Sequence, residues 1–174
     1  MIRRIGLSLL LLAVLCGCSS ATPAADTVVF LVRHAETVKT GDDPALSPPG
    51  IDRSDRLAVL LADAHVTHIH STDYVRTKTT AAPLASRLGI DVSLYDPRKL
   101  EAFATRLRET PGRHLVVGHS NTTPGMVKLL GGEPGSPIDE PGEYDRLYIV
   151  TIDSDGVAET MLLRYGTAYE AKVP

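Results

Sequence analysis

Two short apolar runs constrain the fold of this chain more than any other feature of its sequence. "TVVFLV" occupies residues 27–32, and "HLVVGH" occupies residues 114–119. A short continuous apolar run is typical of a strand that is covered on both faces. Such strands occur in sheets built from alternating strands and helices, so the two runs predict central strands of an α/β domain.

The rest of the chain supplies the alternation. Shorter strands are predicted over 66–71 and 90–95, and helices over 47–65, 73–89, 97–110 and 122–132. Ser47 before Pro48 is a typical helix start, and Pro83 is expected to kink or split the second helix. The Asp155-Gly156 pair predicts a closing hairpin. The pattern predicts a mostly parallel sheet with an antiparallel edge hairpin.

In such sheets, binding sites form beyond the carboxyl ends of the strands. The first apolar run ends in Arg33 and His34, and the run over 114–119 ends in His119. Because parallel strands end at one edge of the sheet, we expect these polar side chains to meet there.

The N-terminus predicts export. Residues 1–18 combine a basic start, an apolar stretch and a Leu-Cys-Gly-Cys sequence that resembles a bacterial lipobox. By that resemblance Cys18 is lipidated, and the chain is anchored to the outer membrane, facing the periplasm. Ordinary secretion with cleavage near Ala21 or Ala25 is the alternative. Residues 19–26 are predicted as a tether and residues 27–174 as one domain.

Several classes of function are excluded by composition. Both cysteines, Cys16 and Cys18, lie in the export signal, so the domain has no disulfide, thiolate metal site or cysteine nucleophile. The net charge is −3 and no basic run suggests nucleic-acid binding. His68 and His70 share one strand face, but neither His65 nor His114 is an evident third ligand, so no metal is predicted.

Three fragments carry the chemistry: "VRHAE" (32–36), "STDYVRTKTTA" (71–81) and "VVGHSNT" (116–122). Together they resemble the histidine phosphatase superfamily, also called the phosphoglycerate mutase-like family. That resemblance implies a three-layer α/β/α sandwich and phosphoryl transfer through a phosphohistidine, without a cofactor.

The chemistry itself requires residues of these types. A phosphoryl dianion needs cationic donors, which Arg33 and Arg76 supply. The neutral imidazole of His34 is the nucleophile, and His119 donates a hydrogen bond to the phosphoryl oxygens in the transition state. Two further residues, Thr40 and Ser120, are expected to bind the phosphate.

The sequence does not single out one residue as the proton donor for the leaving group. Asp96 is the nearest candidate, and it is equally placed to cap the helix that follows. The alternatives are Glu101, Glu143 and Asp145, and some phosphohistidine phosphatases of the superfamily need no acid. Glu36 either orients its loop or contacts the substrate.

Departures from the family pattern favour a small phosphatase over a mutase. Ala35 replaces the usual glycine, and the long insertion with which mutases close over a phosphoglycerate is missing. The predicted function is therefore a metal-independent phosphatase that acts on a small phosphorylated substrate. The alternatives are a lipoprotein that only binds phosphate and a mutase-type phosphotransferase.

Two other enzyme classes are excluded because parts of their motifs are missing from the sequence. "LVVGHSNT" resembles the nucleophile elbow of a serine hydrolase, but no histidine follows Ser120 and Thr122 replaces the closing glycine. His34 and Glu36 match half of a zinc deaminase motif, but the cysteine half is absent from the domain.

Overall fold

The computed structural model describes residues 26–171. Ten elements follow in order: β1 (Thr27–Arg33), α1 (Pro48–Leu60), β2 (His68–Ser71), α2 (Val75–Leu88), β3 (Val92–Leu94), α3 (Leu100–Glu109), β4 (Gly112–Gly118), α4 (Thr122–Leu129), β5 (Arg146–Ile152) and β6 (Ala158–Arg164). The predicted export signal, Cys18 and nearly all of the predicted tether lie outside the described residues. No described helix has the length and apolar character needed to cross a bilayer.

The six strands form one sheet in the order β3-β2-β4-β1-β5-β6. Strands β3, β2, β4 and β1 are parallel to one another, and β5 pairs antiparallel with both β1 and β6. The predicted parallel sheet with an antiparallel edge hairpin is therefore confirmed. The register aligns Arg33 with Gly118 and Ser71 with Val117, so the residues that follow three strands meet at one edge.

The strand period of two divides β1 between two cores. Val28, Phe30 and Val32 pack with α1 and α2, while Val29 and Leu31 pack with α3 and α4 on the opposite face. All five side chains are buried. Helices therefore cover both faces of the sheet, which is the predicted three-layer α/β/α sandwich.

Local sequence signals predict the start of α1 and the end of α2, but not the effect of a proline inside α2. Ser47 caps α1 as predicted, since its Oγ accepts from the Gly50 N–H at 3.4 Å. Gly89 ends α2 in the left-handed conformation. Pro83 does not split α2, because the buried Ala81, Leu84 and Ala85 around it pack against the sheet and hold the helix together. Tertiary packing overrides the local signal here.

Candidate active site

The four side chains that carry the predicted chemistry line one cavity of about 650 Å³. These are Arg33, His34, Arg76 and His119, and Ser120 lines the cavity beside them. The cavity lies beyond the carboxyl ends of β1, β2 and β4, where the sheet topology places binding sites. Residues that are 86 positions apart in the sequence, such as Arg33 and His119, therefore face the same space.

His34 presents one ring nitrogen to the cavity. Its Nδ1 lies 2.8 Å from the Ala35 carbonyl oxygen, and because a carbonyl only accepts, the network assigns the proton to Nδ1. Nε2 has no hydrogen-bond partner among the described residues and is not sealed from solvent. Burial, together with Arg33, His119 and Arg76, lowers the pKa of His34 to about 3. The ring is thus neutral, with its Nε2 lone pair free.

Arg33 is a buried cation beside His34. Its Nη1 donates to the Glu143 carbonyl oxygen at 3.0 Å, and its guanidinium carbon lies 4.0 Å from the centre of the Tyr144 ring. Its Nε is buried and has no partner within the described part of the chain. Burial lowers the pKa of Arg33. Its Nη2 also has no hydrogen-bond partner in the described residues but is not sealed, so Nη2 is the group that can donate to an anion in the cavity.

Arg76 reaches the cavity from the first turn of α2. Its Nη1 lies 3.2 Å from Asp43 Oδ1, and its guanidinium carbon lies 4.4 Å from the centre of the Tyr74 ring. The Asp43 carboxylate also accepts from the Val75 N–H, at 3.0 Å for each oxygen. Asp43 therefore stabilises the start of α2, where the N-cap side chain makes no such bond.

His119 follows β4 and lies across the cavity from His34. The two ring centres are 5.6 Å apart, and the rings meet edge to face. Burial, then the charges of Arg76 and Arg33, lower the pKa of His119 to about 4, while Asp43 acts in the opposite direction. Its Nε2 is held at 3.0 Å by Thr72 Oγ1. Both imidazoles of the site are therefore neutral at pH 7.

The loop after His34 is held from two directions. The His34 N–H donates to the Gly118 carbonyl oxygen at 2.9 Å, and the Ala35 N–H donates to Thr80 Oγ1 at 3.0 Å. Glu36 faces away from the cavity and pairs with Arg53 at 2.8 Å. Of its two predicted roles, this geometry matches the one in which Glu36 orients the loop.

Two predicted site residues do not line the cavity. Thr40 is exposed on the loop after β1. Asp96 lies in a neighbouring groove, where its carboxylate accepts from the Arg98 side chain at 3.0 and 3.1 Å and from the Arg98 N–H. Bonding with Arg98 lowers the pKa of Asp96. Asp96 also precedes the N-cap of α3, which is Lys99, so it stabilises the turn before the helix.

The other predicted acids are also engaged elsewhere. Glu143 and Asp145 are buried and pair with arginines of the β5–β6 hairpin, and Glu101 lies in the first turn of α3. The carboxylates that do line the cavity are Asp42 and Glu140, and sequence reasoning missed both. They lie in turn-rich loops without a readable pattern.

Three histidines form a separate cluster on β2 and β4. The ring centres of His68 and His114 are 4.6 Å apart, and His70 Nε2 bonds His114 Nδ1 at 3.1 Å. No group of three or more potential ligands within residues 26–171 is arranged to hold a metal ion. His65 occupies a turn in the left-handed conformation.

Comparison with known proteins points to one superfamily. The sequence model of the histidine phosphatase superfamily (branch 1) matches residues 29–98, which include His34 and Arg76. The probable phosphoglycerate mutase GpmB of Escherichia fergusonii is 35% identical over 80 residues, or 42% of this chain and 37% of that protein. Fructose-2,6-bisphosphatase TIGAR of Xenopus laevis is 30% identical over 124 residues, or 65% of this chain and 42% of that protein. The chain thus spans between about a third and a half of the length of the curated relatives it matches.

Solved structures share the fold at low sequence identity. The protein histidine phosphatase SixA complexed with tungstate superposes with a TM-score of 0.64 at 17% identity, covering 79% of this chain and 96% of SixA. The alpha-ribazole phosphatase from Shigella flexneri gives a TM-score of 0.63 at 16% identity, covering 82% of this chain and all of that one (100%). The sequence matches show similarity to the histidine phosphatase superfamily over residues 29–98, and the solved structures show that the fold is shared.

Proposed function

We propose that this protein is a metal-independent phosphatase that forms a phosphohistidine on His34. The observation that carries the proposal is the free Nε2 lone pair of His34 in a cavity shared with Arg33, Arg76 and His119. A neutral imidazole among cationic donors is what attack on a phosphoryl group requires. Similarity to phosphatases and mutases of one superfamily supports the same reaction class.

The reaction has two steps at phosphorus. His34 Nε2 attacks the phosphorus in line while the bond to the leaving oxygen breaks. Positive charge that develops on the ring is stabilised by the Nδ1–H bond to the Ala35 carbonyl oxygen. Arg33, Arg76 and His119 bind the phosphoryl oxygens on which charge spreads. Water then cleaves the phosphorus–nitrogen bond, which releases phosphate and restores His34.

The open cavity supports a phosphatase more than a mutase. A mutase must hold its intermediate in contact with the phosphorylated enzyme, for which the family uses a long closing insertion. This chain lacks that insertion, and the loop that separates β3 from α3 is short. A small phosphorylated compound therefore reaches His34 directly, and so does the water of the second step.

A trapping experiment tests the proposal. The full chain is incubated with radiolabelled phosphoryl donors and p-nitrophenyl phosphate, and the protein is assayed for an acid-labile, alkali-stable phosphoryl label. We expect label and turnover in the wild type and neither in His34→Asn. His65→Asn is the matched control, since His65 is exposed and its left-handed backbone suits asparagine.

Three other results would change the proposal. Phosphate binding without turnover on a broad panel of substrates would favour a binding protein. Transfer of the label to an acceptor alcohol instead of water would favour a mutase. Near-full activity in Arg76→Ala would show that Arg76 does not bind the phosphoryl oxygens, because loss of one such donor should lower turnover about a hundredfold.

We also propose that the protein is exported and held at the membrane through Cys18. β1 begins at Thr27, directly after the predicted tether, and His34 follows its other end. Seven strand residues span about 20 Å, so the tether joins the edge of the sheet opposite the cavity. Metabolic labelling with a fatty acid, lost in Cys18→Ser, tests the anchor.

A further inference from the structure

The two ring nitrogens of His119 face different surroundings. Nε2 lies 3.0 Å from Thr72 Oγ1, and that hydroxyl lies 2.9 Å from Thr77 Oγ1. Both threonines are fully buried (0% exposed). Nδ1 has no hydrogen-bond partner in the described residues and is not one of their sealed, unpaired atoms. Nδ1 is therefore the nitrogen that a ligand in the cavity can reach.

Thr77 sets the direction of this hydrogen-bond chain. Its hydroxyl donates to the carbonyl oxygens of Thr72 and Tyr74, at 2.9 and 3.0 Å. Since its one proton is used there, Thr77 Oγ1 accepts from the Thr72 hydroxyl. Thr72 Oγ1 in turn accepts from the Nε2–H of His119. The neutral ring therefore carries its proton on Nε2 and a lone pair on Nδ1.

A lone pair on Nδ1 discriminates between protonation states of the ligand. The dianion of a phosphate monoester or a phosphonate offers only oxygen lone pairs, which would oppose the lone pair of His119. A phosphoryl monoanion also carries a P–O–H group, which donates to Nδ1. The chain of hydroxyls behind the ring thus favours a ligand that brings its own proton.

We propose that the site takes its phosphoryl ligand as the monoanion, and that Thr72 is the positioning residue that imposes this choice by holding the His119 proton on Nε2. The inference rests on the phosphatase function proposed above. On binding, the P–O–H bond breaks and an N–H bond forms at His119 Nδ1. The resulting phosphoryl dianion stays paired with the imidazolium and the two arginines, so no proton or charge is lost.

The groups around His119 fit this exchange. Arg33 at the end of β1 and Arg76 on α2 oppose a positive ring in the empty site, and Asp43 favours one. His34 and Tyr74 contact the ring without adding charge, with centres 5.6 and 5.2 Å away. A bound phosphoryl group neutralises both arginines, which removes the main charges that disfavour the imidazolium.

Binding of methylphosphonate to the full chain tests the proposal without any turnover, because this ligand has no ester bond and its dianion carries no P–O–H group. Calorimetry at several pH values, in buffers of different ionisation enthalpy, gives the affinity and the protons taken up. Above the second ionisation of the phosphonate, near neutral pH, we expect affinity to fall roughly tenfold per pH unit with uptake of one proton. Affinity that rises through neutral pH would mean that the dianion binds, and would overturn the proposal.

Two variants make the test specific to Thr72. Thr72→Val removes the acceptor, frees the ring proton to move to Nδ1, and should abolish the fall in affinity above neutral pH. Thr123→Val is the matched control, because Thr123 is buried nearby but donates to the Val32 carbonyl oxygen. A wild-type profile in Thr72→Val contradicts the role of Thr72.

Nitrogen NMR of the wild-type histidines is independent of whether the variants fold. We expect His119 to carry a proton on Nε2 alone in the free protein and on both nitrogens with methylphosphonate bound. A free protein with the proton on Nδ1 would contradict the inference. Proton-linked phosphonate binding in a protein that hydrolyses nothing would instead reject the phosphatase function and leave the inference intact.

Discussion

The Glu36 carboxylate holds the Arg53 guanidinium at 2.8 Å, and this pair joins the loop after His34 to α1. Arg53 is 5% exposed and also donates to the Tyr165 and Thr167 carbonyl oxygens, at 2.6 and 2.9 Å. One arginine therefore connects the loop after His34, helix α1 and the C-terminal segment. Its loss leaves a carboxylate and two carbonyl oxygens without their donor.

We expect Arg53→Met to lower the free energy of unfolding by about 3 kcal/mol, because removal of one partner of a buried pair leaves the other unsatisfied. Urea denaturation measures the change. Arg56→Met is the control, since Arg56 pairs with Asp52 on the surface and its loss should not be measurable. Equal stability of the two variants would contradict the role of the Glu36–Arg53 pair.

A second prediction concerns Asp43, which holds both Arg76 and the start of α2. Asp43→Ala should reduce kcat/KM for p-nitrophenyl phosphate about tenfold, because Arg76 loses the partner that positions it, and should lower stability by about 1 kcal/mol through the lost cap. Steady-state kinetics and thermal unfolding measure the two effects. Asp73→Ala is the control, since Asp73 pairs only with exposed Lys78; a matching loss of activity there would exclude a specific effect.

The meeting of three of the four site side chains could be predicted from the sequence because it follows from strand ends alone. Arg33, His34 and His119 each follow an apolar run, and parallel strands bring such positions to one edge. Arg76 required the family resemblance, because nothing in a lone helix arginine indicates a site. The same edge rule applied to the strand over 66–71 would also have pointed to Thr72.

Asp43 and Glu140 could not be predicted in this way. Both lie in turn-rich loops whose paths depend on long-range contacts, such as the bond from Asp43 to the Val75 N–H. Asp96 failed to reach the cavity for a related reason. Its nearest cation, Arg98, lies two residues away and pairs with it. Strand order gives no information on whether a carboxylate pairs with a neighbour in the sequence or reaches the cavity.

A third prediction separates the candidate proton donors. Glu140 lines the cavity and acts electrostatically on Arg33, whereas Asp96 is paired with Arg98 outside it. A proton donor must lie within reach of the leaving oxygen, and Glu140 meets that requirement because it lines the cavity. We expect Glu140→Gln to slow hydrolysis of an alkyl phosphate at least tenfold more than that of p-nitrophenyl phosphate, whose leaving group needs no acid.

Asp96→Asn and Asp42→Asn complete that comparison. Asp96→Asn should affect both substrates equally and weakly. If Asp96→Asn instead shows the dependence on the leaving group, Asp96 is the acid and must move into the cavity on binding. If Asp42→Asn shows it, the acid comes from the loop after β1. Equal rates for all three variants would mean that the leaving group departs without an acid.

The last prediction concerns the pH dependence of stability, to which the buried His70 should contribute. Burial, then the neighbouring His114, Arg106 and His68, lower the pKa of His70 to about 3, against about 6.5 in an unfolded chain. The unfolded state therefore binds a proton more readily than the folded state between these values. Stability contributed by neutral His70 is complete above about pH 6.5 and falls as the pH drops toward 3, by at most about 1.4 kcal/mol per pH unit.

Urea denaturation between pH 6.5 and 4 tests this contribution. We expect the free energy of unfolding of His70→Gln, which keeps a donor for His114 Nδ1, to decline less steeply with falling pH than that of the wild type. His65→Asn should decline as the wild type does, because His65 is exposed, and a parallel decline in all three proteins would show that His70 does not control acid stability.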